Sequence, residues 1–258
     1  MQEKRVVIAL GIMLMLASTT SAYAYSVLHT SSGAELRWYT AQVPYYINVT
    51  GFNDFDPDEA IEVIQESFAT WEGAGIGIHF EYMGLTDVRS ANDDGISVVY
   101  FIQDSDEWKT TFPNQQSALG VTRSWAAASG ELLGFDLALN DAAVDFTNAN
   151  TQEDTITDLA NTVTHEIGHV MGLDHTDVEE AVMYPTSKQG ELSKRTLHQD
   201  DIDGIHYLYR DGFEPGLDEE GGLSCSTGPG RDSGEAQGDG ALLLLAAFTL
   251  FHRRTRRS

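Results

Sequence analysis

THEIGHVMGLDH, residues 164–175, sets three histidines and a glutamate at spacings that constrain how the chain folds around them. On a helix, His165 and His169 are four residues apart, project from one face a turn apart, and can reach a single metal ion. Glu166, beside the first of them, can lie next to that ion without binding it and take a proton from a metal-activated water, which makes it the candidate general base. Gly172 follows three residues after His169, where a helix commonly ends on a left-handed residue. The reversal brings His175 to the same ion as a third ligand and leaves the fourth tetrahedral position open, the arrangement of a catalytic site. Three neutral imidazoles leave the dication uncompensated, so its field lowers the pKa of water there to about 7.

The pattern HExxHxxGxxH, followed by Met183 in the segment AVMYP, resembles the metzincin metallopeptidases, in which a methionine turn forms an apolar floor beneath the ligands. The Met183-Tyr184-Pro185 wording and the ending LHQDDIDGIHYLY, residues 197–209, look like the matrixin branch, the family of the matrix metalloproteinases and their bacterial relatives. Astacins usually carry a tyrosine two places after the methionine, where this chain has Pro185. The resemblance implies an α+β, zincin-like catalytic domain: a twisted, mostly parallel sheet with an active-site helix, a second long helix and a C-terminal helix. It also implies one catalytic zinc on His165, His169 and His175, Glu166 as base and then acid, Met183 as support, and hydrolysis of peptide bonds in protein substrates. Two other readings stand beside it: a zinc-containing surface protein that binds a partner without turnover, and a metzincin of another branch with narrow specificity. The intact Glu166 argues against the first, since a domain that only binds has no evident need of a base.

Outward from this centre, the chain divides by composition. Lys4 and Arg5, an apolar run from Val6 to Ala17, and Ala22-Tyr23-Ala24 read as a secretory signal peptide, residues 1–24, cut after Ala24. The apolar run is shorter than the roughly 20 residues that span a bilayer. Residues 25–33 form a short N-terminal segment and 34–210 the peptidase domain. Residues 211–240, rich in Gly, Asp, Glu and Ser, read as an acidic linker. Residues 241–258 join a short apolar stretch to the basic end HRRTRRS. The order Cys225, spacer, apolar run and arginine cluster resembles the C-terminal sorting signals of myxobacterial surface proteins. That resemblance implies an address outside the fold, processing near Cys225, and membrane contact only through the tail before processing. An unprocessed tail held at the inner membrane is the alternative. Export is expected in either case, and on the first reading the destination is the cell surface or the extracellular space.

The formal net charge is −25. Because 7 of the 15 basic but only 4 of the 40 acidic residues lie in 1–24 and 225–258, the span between carries −28. Such a surface repels nucleic acid and anionic membranes; the resemblance implies a protein or peptide substrate, and a monomer is expected. Cys225 is the single cysteine, so the domain must hold without an internal disulfide. No cysteine-switch propeptide is expected between the cleavage site and the first strand.

The segment ELRWYTAQVPYYINV, residues 35–49, reads as one strand or two short ones broken near Pro44. Asp56-Pro57-Asp58-Glu59 opens a helix with Asp56 as N-cap and Glu59 completing a capping box, and Ile61, Ile64, Phe68 and Trp71 follow at helical spacing. Residues 76–82 and 96–102 read as strands, 103–116 as irregular, and 117–123 and 132–140 as two more strands. By analogy the first of these last two is the sheet edge on which a peptide lies. The active-site helix is expected to start near Thr155, and a last helix to cover 199–209. His79, His198 and His206 receive no chemistry.

Some positions depart from the family. No histidine lies between Gln103 and Asn140, and Ala138 stands where a structural-zinc ligand would be, so no second zinc is expected. Asp136, Asn140, Asp141 and Asp145 offer oxygen ligands for calcium but form no recognised loop. Asn161 occupies the position that tunes pocket depth, and Ser187 the place of an aromatic wall residue.

Overall fold

The computed structural model describes residues 24–89, 92–149, 156–213 and 242–251. The expected signal peptide, except Ala24, most of the linker and the basic end lie outside the described residues. In chain order the elements begin with β1 (Ser26–Val27), β2 (Gln42–Asn48), α1 (Pro57–Glu72), β3 (His79–Leu85) and β4 (Val98–Phe101). Next come α2 (Ser105–Thr111), β5 (Ala118–Ala126), β6 (Leu132–Leu139), β7 (Phe146–Thr147) and β8 (Thr157–Asp158). The chain continues through α3 (Leu159–Val170), β9 (Leu173–Asp174), β10 (Thr186–Lys188), a 3-10 turn (Ser193–Arg195), α4 (Gln199–Leu208) and β11 (Leu242–Phe251).

The main sheet runs in the order β10-β11-β5-β6-β4-β2-β3. Strands β6, β4, β2 and β3 are mutually parallel, and β5 is antiparallel to β6. The mixed α+β content and mostly parallel sheet fit the expected class. Pro44 is accommodated inside β2, although β2 has neighbours on both sides. Pairing with β4 begins only at Tyr46, whose N–H donates to Ser97 O at 2.9 Å, so the donor that Pro44 lacks would face a place where β4 has not yet started.

Helix α1 starts as expected, with Asp56 Oδ1 accepting from Asp58 N at 3.0 Å. The capping box does not form; Glu59 instead accepts from Asn148 Nδ2 at 2.6 Å, a partner distant in sequence. The apolar stripe of α1 buries Ile64, Phe68 and Trp71 against the sheet and α3, each worth about 1.5–3 kcal/mol of transfer free energy. The segment read as irregular contains α2. Asp104 caps it through Asp106 N and Glu107 N at 2.8 Å, and Trp108 and Phe112, one turn apart, are buried together.

The ends differ most from expectation. The N-terminal segment belongs to the fold, because β1 pairs with β9 directly before His175. The apolar stretch expected to be an address outside the fold supplies β11, which runs antiparallel along β5 and parallel to β10. Without it, the outer edge of β5 would present unpaired N–H and C=O groups, which an extended apolar segment can satisfy. Among the described residues no helix is long and apolar enough to cross a membrane.

Candidate metal centre and cleft

Helix α3 starts at Leu159 and not near Thr155, which lies outside the described residues. Its N-cap is Asp158, whose Oδ1 accepts from Asn161 N at 2.8 Å and from Arg195 Nε at 2.8 Å. This anchors the start of α3 to the turn before α4. The helix then delivers His165 and His169 on one face, with ring centroids 4.9 Å apart. Gly172, at φ +98°, reverses the chain; an added Cβ there would collide with the Leu36 carbonyl. His175 follows, and its Nε2 lies 3.3 Å from that of His165 and 3.2 Å from that of His169.

Backbone partners fix the tautomer of two of these rings. His165 Nδ1 donates to Val182 O at 2.6 Å and His169 Nδ1 donates to Leu173 O at 2.8 Å. A carbonyl only accepts, so Nδ1 carries the proton in both rings, and in the neutral ring Nε2 is left bare and turned inward. Burial, reinforced by the other two histidines, holds His165 well below its ordinary value; burial and His175 push His169 down to about 3. Neutral rings are what a metal needs. Nitrogens about 2.0–2.1 Å from one tetrahedral ion lie about 3.3 Å from each other, so the donor set fits zinc. Among the described residues, this is the group of three histidine, cysteine or carboxylate side chains that converges in this way.

Glu166 is completely buried, and Thr122 Oγ1 donates to its Oε2 at 2.7 Å. Its side chain lies against Gly120, where an added Cβ would meet Glu166 Cγ at 2.7 Å. The candidate base is thus held against β5. Thr122 was not singled out from sequence; its position within the edge strand is the signal that was available.

Met183 is buried against α3. An added Cβ at Gly168 would collide with Met183 Sδ and meet the Trp71 ring at 2.9 Å, so this glycine lets the methionine turn approach α3. Asp201 holds that turn. It accepts from Val182 N at 2.9 Å, Met183 N at 3.0 Å and His198 N at 2.8 Å. His198, expected to carry no chemistry, forms the capping box of α4 together with Asp201.

Asn161, expected to tune a pocket, is tied down: its Nδ2 donates to Ser187 Oγ at 3.0 Å and its Oδ1 accepts from Lys194 N at 2.7 Å. Ser187 in turn donates to Glu191 Oε2 at 3.0 Å. The segment after the methionine turn is therefore fastened to α3.

The four candidate calcium ligands divide. Asp136 and Asn140, four residues apart along an extended segment, are separated by roughly 13 Å. Burial pushes Asp136 up to about 8, with Asp94 adding to the effect. Asp141 belongs with Asp54 and Asp145, and burial and Asp54 push it up to about 7.

The edge strand β5 is where the peptide was expected to lie. Its outer side is covered by β11, with Leu242 opposite Ala126 and Thr249 opposite Ala118.

A sequence model of the family described as Matrixin matches residues 37–210. Metalloendoproteinase 2-MMP of Arabidopsis thaliana is 43% identical over 77 residues, 30% of this chain and 20% of that protein. Stromelysin-1 of Mus musculus is 44% identical over 70 residues, 27% of this chain and 15% of that protein. Matrilysin of Homo sapiens is 50% identical over 46 residues, 18% of this chain and 17% of that protein. In each case the match spans a fifth or less of the relative's length.

Proposed function

Because the chain belongs to the matrixin family, we propose that it is a zinc-dependent endopeptidase that hydrolyses peptide bonds in polypeptides laid along β5. The observation that carries this reading is the convergence of three histidine Nε2 atoms, two of them left bare by the Nδ1 bonds of His165 and His169, beside a buried glutamate on the sheet edge. His165, His169 and His175 would hold the ion. Zinc supplies Lewis acidity, lowering the pKa of water and polarising a carbonyl.

The chain's own groups supply the rest. Backbone N–H and C=O groups of β5 orient an extended substrate as an added strand, giving affinity with little sequence preference. Glu166 takes the proton of the attacking water and delivers it to the leaving amine. The Thr122 hydroxyl fixes one carboxylate oxygen, which sets the direction of the other. Met183 and Asp201 keep the floor and the Val182 carbonyl in place, so that His165 presents the correct nitrogen.

We also propose that the protein is exported and that the tail directs surface display, on the order of Cys225, apolar run and arginines. Of the candidate calcium ligands, we propose only Asp141 and Asp145, on the acidic surroundings of Asp141. A rise in Tm with calcium, lost in Asp141→Ala, tests that site.

The test of function is cleavage of denatured casein by full-length protein, abolished by a zinc chelator and restored by zinc. Folded protein with one zinc per chain that cleaves nothing would overturn the reading. This must hold also for full-length protein with prolines at Ala246 and Ala247, which cannot keep β11 on β5.

A further inference from the structure

The place that a substrate strand needs is taken by the chain itself. β11 runs antiparallel to β5 from Leu242 opposite Ala126 to Thr249 opposite Ala118, shifts register between Phe248 and Thr249, and continues parallel to β10. It therefore threads between the sheet edge and the segment that follows the methionine turn, with α3 lying against it. Ala246, Ala247 and Phe248 stand opposite Thr122, Val121 and Gly120. Thr122 and Gly120 are the β5 residues that touch Glu166, so this part of the β11 backbone passes beside the candidate base.

Direction and position are those of a polypeptide added to the edge of β5. Building on the peptidase reading, we propose that Leu242–Phe251 is an internal competitor for the substrate strand, and that the cleft admits a peptide only when this segment leaves β5. The segment reaches the edge on the same chain, and tethering raises its effective concentration to about the millimolar range for a linker of suitable reach. Modest pairing is then enough to exclude substrates present at lower concentration. Backbone pairing carries the interaction, so it asks of the segment an extended, proline-free stretch long enough to cover the edge. At about 3.3 Å per residue, β11 covers the whole of β5.

The experiment uses full-length, zinc-loaded protein and a short quenched fluorogenic peptide well below its KM. The wild-type chain is compared with Ala246→Pro/Ala247→Pro. Successive strand residues turn their N–H groups to opposite sides, so one of the two prolines removes a donor to β5 whichever way the ladder falls. Intact mass confirms that both proteins retain residue 251. Release of an internal competitor raises kcat/KM at least about tenfold, an exchange of about 1.4 kcal/mol, and leaves kcat at saturating peptide within about twofold. Equal kcat/KM for the two proteins overturns the proposal.

Amide hydrogen exchange across residues 118–126 in full-length Glu166→Ala, with and without the prolines, reads the pairing without activity. Protection that falls with the prolines supports β11 on β5; if neither active-site-intact protein then cleaves any peptide, it is the peptidase reading that fails. Exchange that is equally fast in both proteins overturns the strand competitor, whatever the activity.

Discussion

Replacing Asp201 by asparagine tests how the floor of the metal centre is held. Asp201 is buried, and its two oxygens accept from the N–H groups of Val182, Met183 and His198. Burial pushes its carboxyl up, and these three donors pull it back down. Asparagine keeps one acceptor oxygen. Placed where Oδ2 stands, it retains Val182 and His198 and turns its amino group toward the Met183 N–H, leaving one buried donor unpaired at a cost of about 1–3 kcal/mol. Losing the charge from the remaining bonds brings the total to about 2–4 kcal/mol, and for a domain of this size each kcal/mol lowers Tm by roughly 2–4 °C. The metal should feel the change as well. Val182 O is the acceptor that fixes the His165 ring, and disturbing such a partner typically weakens metal binding about 10- to 100-fold. Calorimetry of the metal-free protein and zinc titration against a chromophoric chelator measure the two effects. An Asp201→Asn protein within about 0.5 kcal/mol of the parent and with unchanged zinc affinity would refute the reasoning.

Glu166→Ala should retain one zinc per chain, by elemental analysis, and lose proteolysis; a fully active variant removes Glu166 from the role of base. Gly168→Ala should lower stability by about 1–3 kcal/mol through overpacking, since its Cβ has no room beside Met183 and Trp71; a thermal midpoint equal to that of the parent would show that the turn can yield. For Asp136 the sign follows from a native pKa of about 8 against about 4 in the unfolded chain. Between these values the native state holds the extra proton, so stability falls as pH rises from about 4 to about 8 and then levels. At about 1.4 kcal/mol per pKa unit the loss is at most on the order of 5 kcal/mol. Asp136→Asn should flatten this slope and be the more stable protein above pH 8, as denaturant titrations at several pH values would show; identical slopes count against it.

The histidine cluster was legible because its information is local. His165, His169, Gly172 and His175 lie within eleven residues, and helix periodicity followed by a glycine reversal is enough to bring them together. The main strands and α1 were readable for the same reason. What escaped depends on partners far along the chain. Asp158 caps α3 while bound to Arg195, and Asp201 serves residues 182 and 183 as well as its own helix. Thr122 acquires meaning only when β5 meets α3. Helix α2 was missed although Asp104, Trp108 and Phe112 carry a cap and a one-turn apolar pair, because a helix of seven residues between polar segments gives little periodicity to detect.

The C-terminal segment shows a different kind of ambiguity, in which one composition serves two physical ends. A short apolar run suits a sorting signal, and an extended apolar run also suits the open edge of a sheet. The two uses exclude each other at any instant, since β11 cannot lie on β5 and be engaged by an export or anchoring apparatus. They are compatible in sequence. While the segment is paired, the edge beside Glu166 is closed; when the proposed sorting apparatus draws it away, or processing near Cys225 separates it, the same edge is bare and the cleft can take a peptide. On the two proposals together, the tail would be the address and also what keeps the cleft closed until the address has been read. That places the control of the peptidase in a segment that a reading of the matrixin motif alone leaves out.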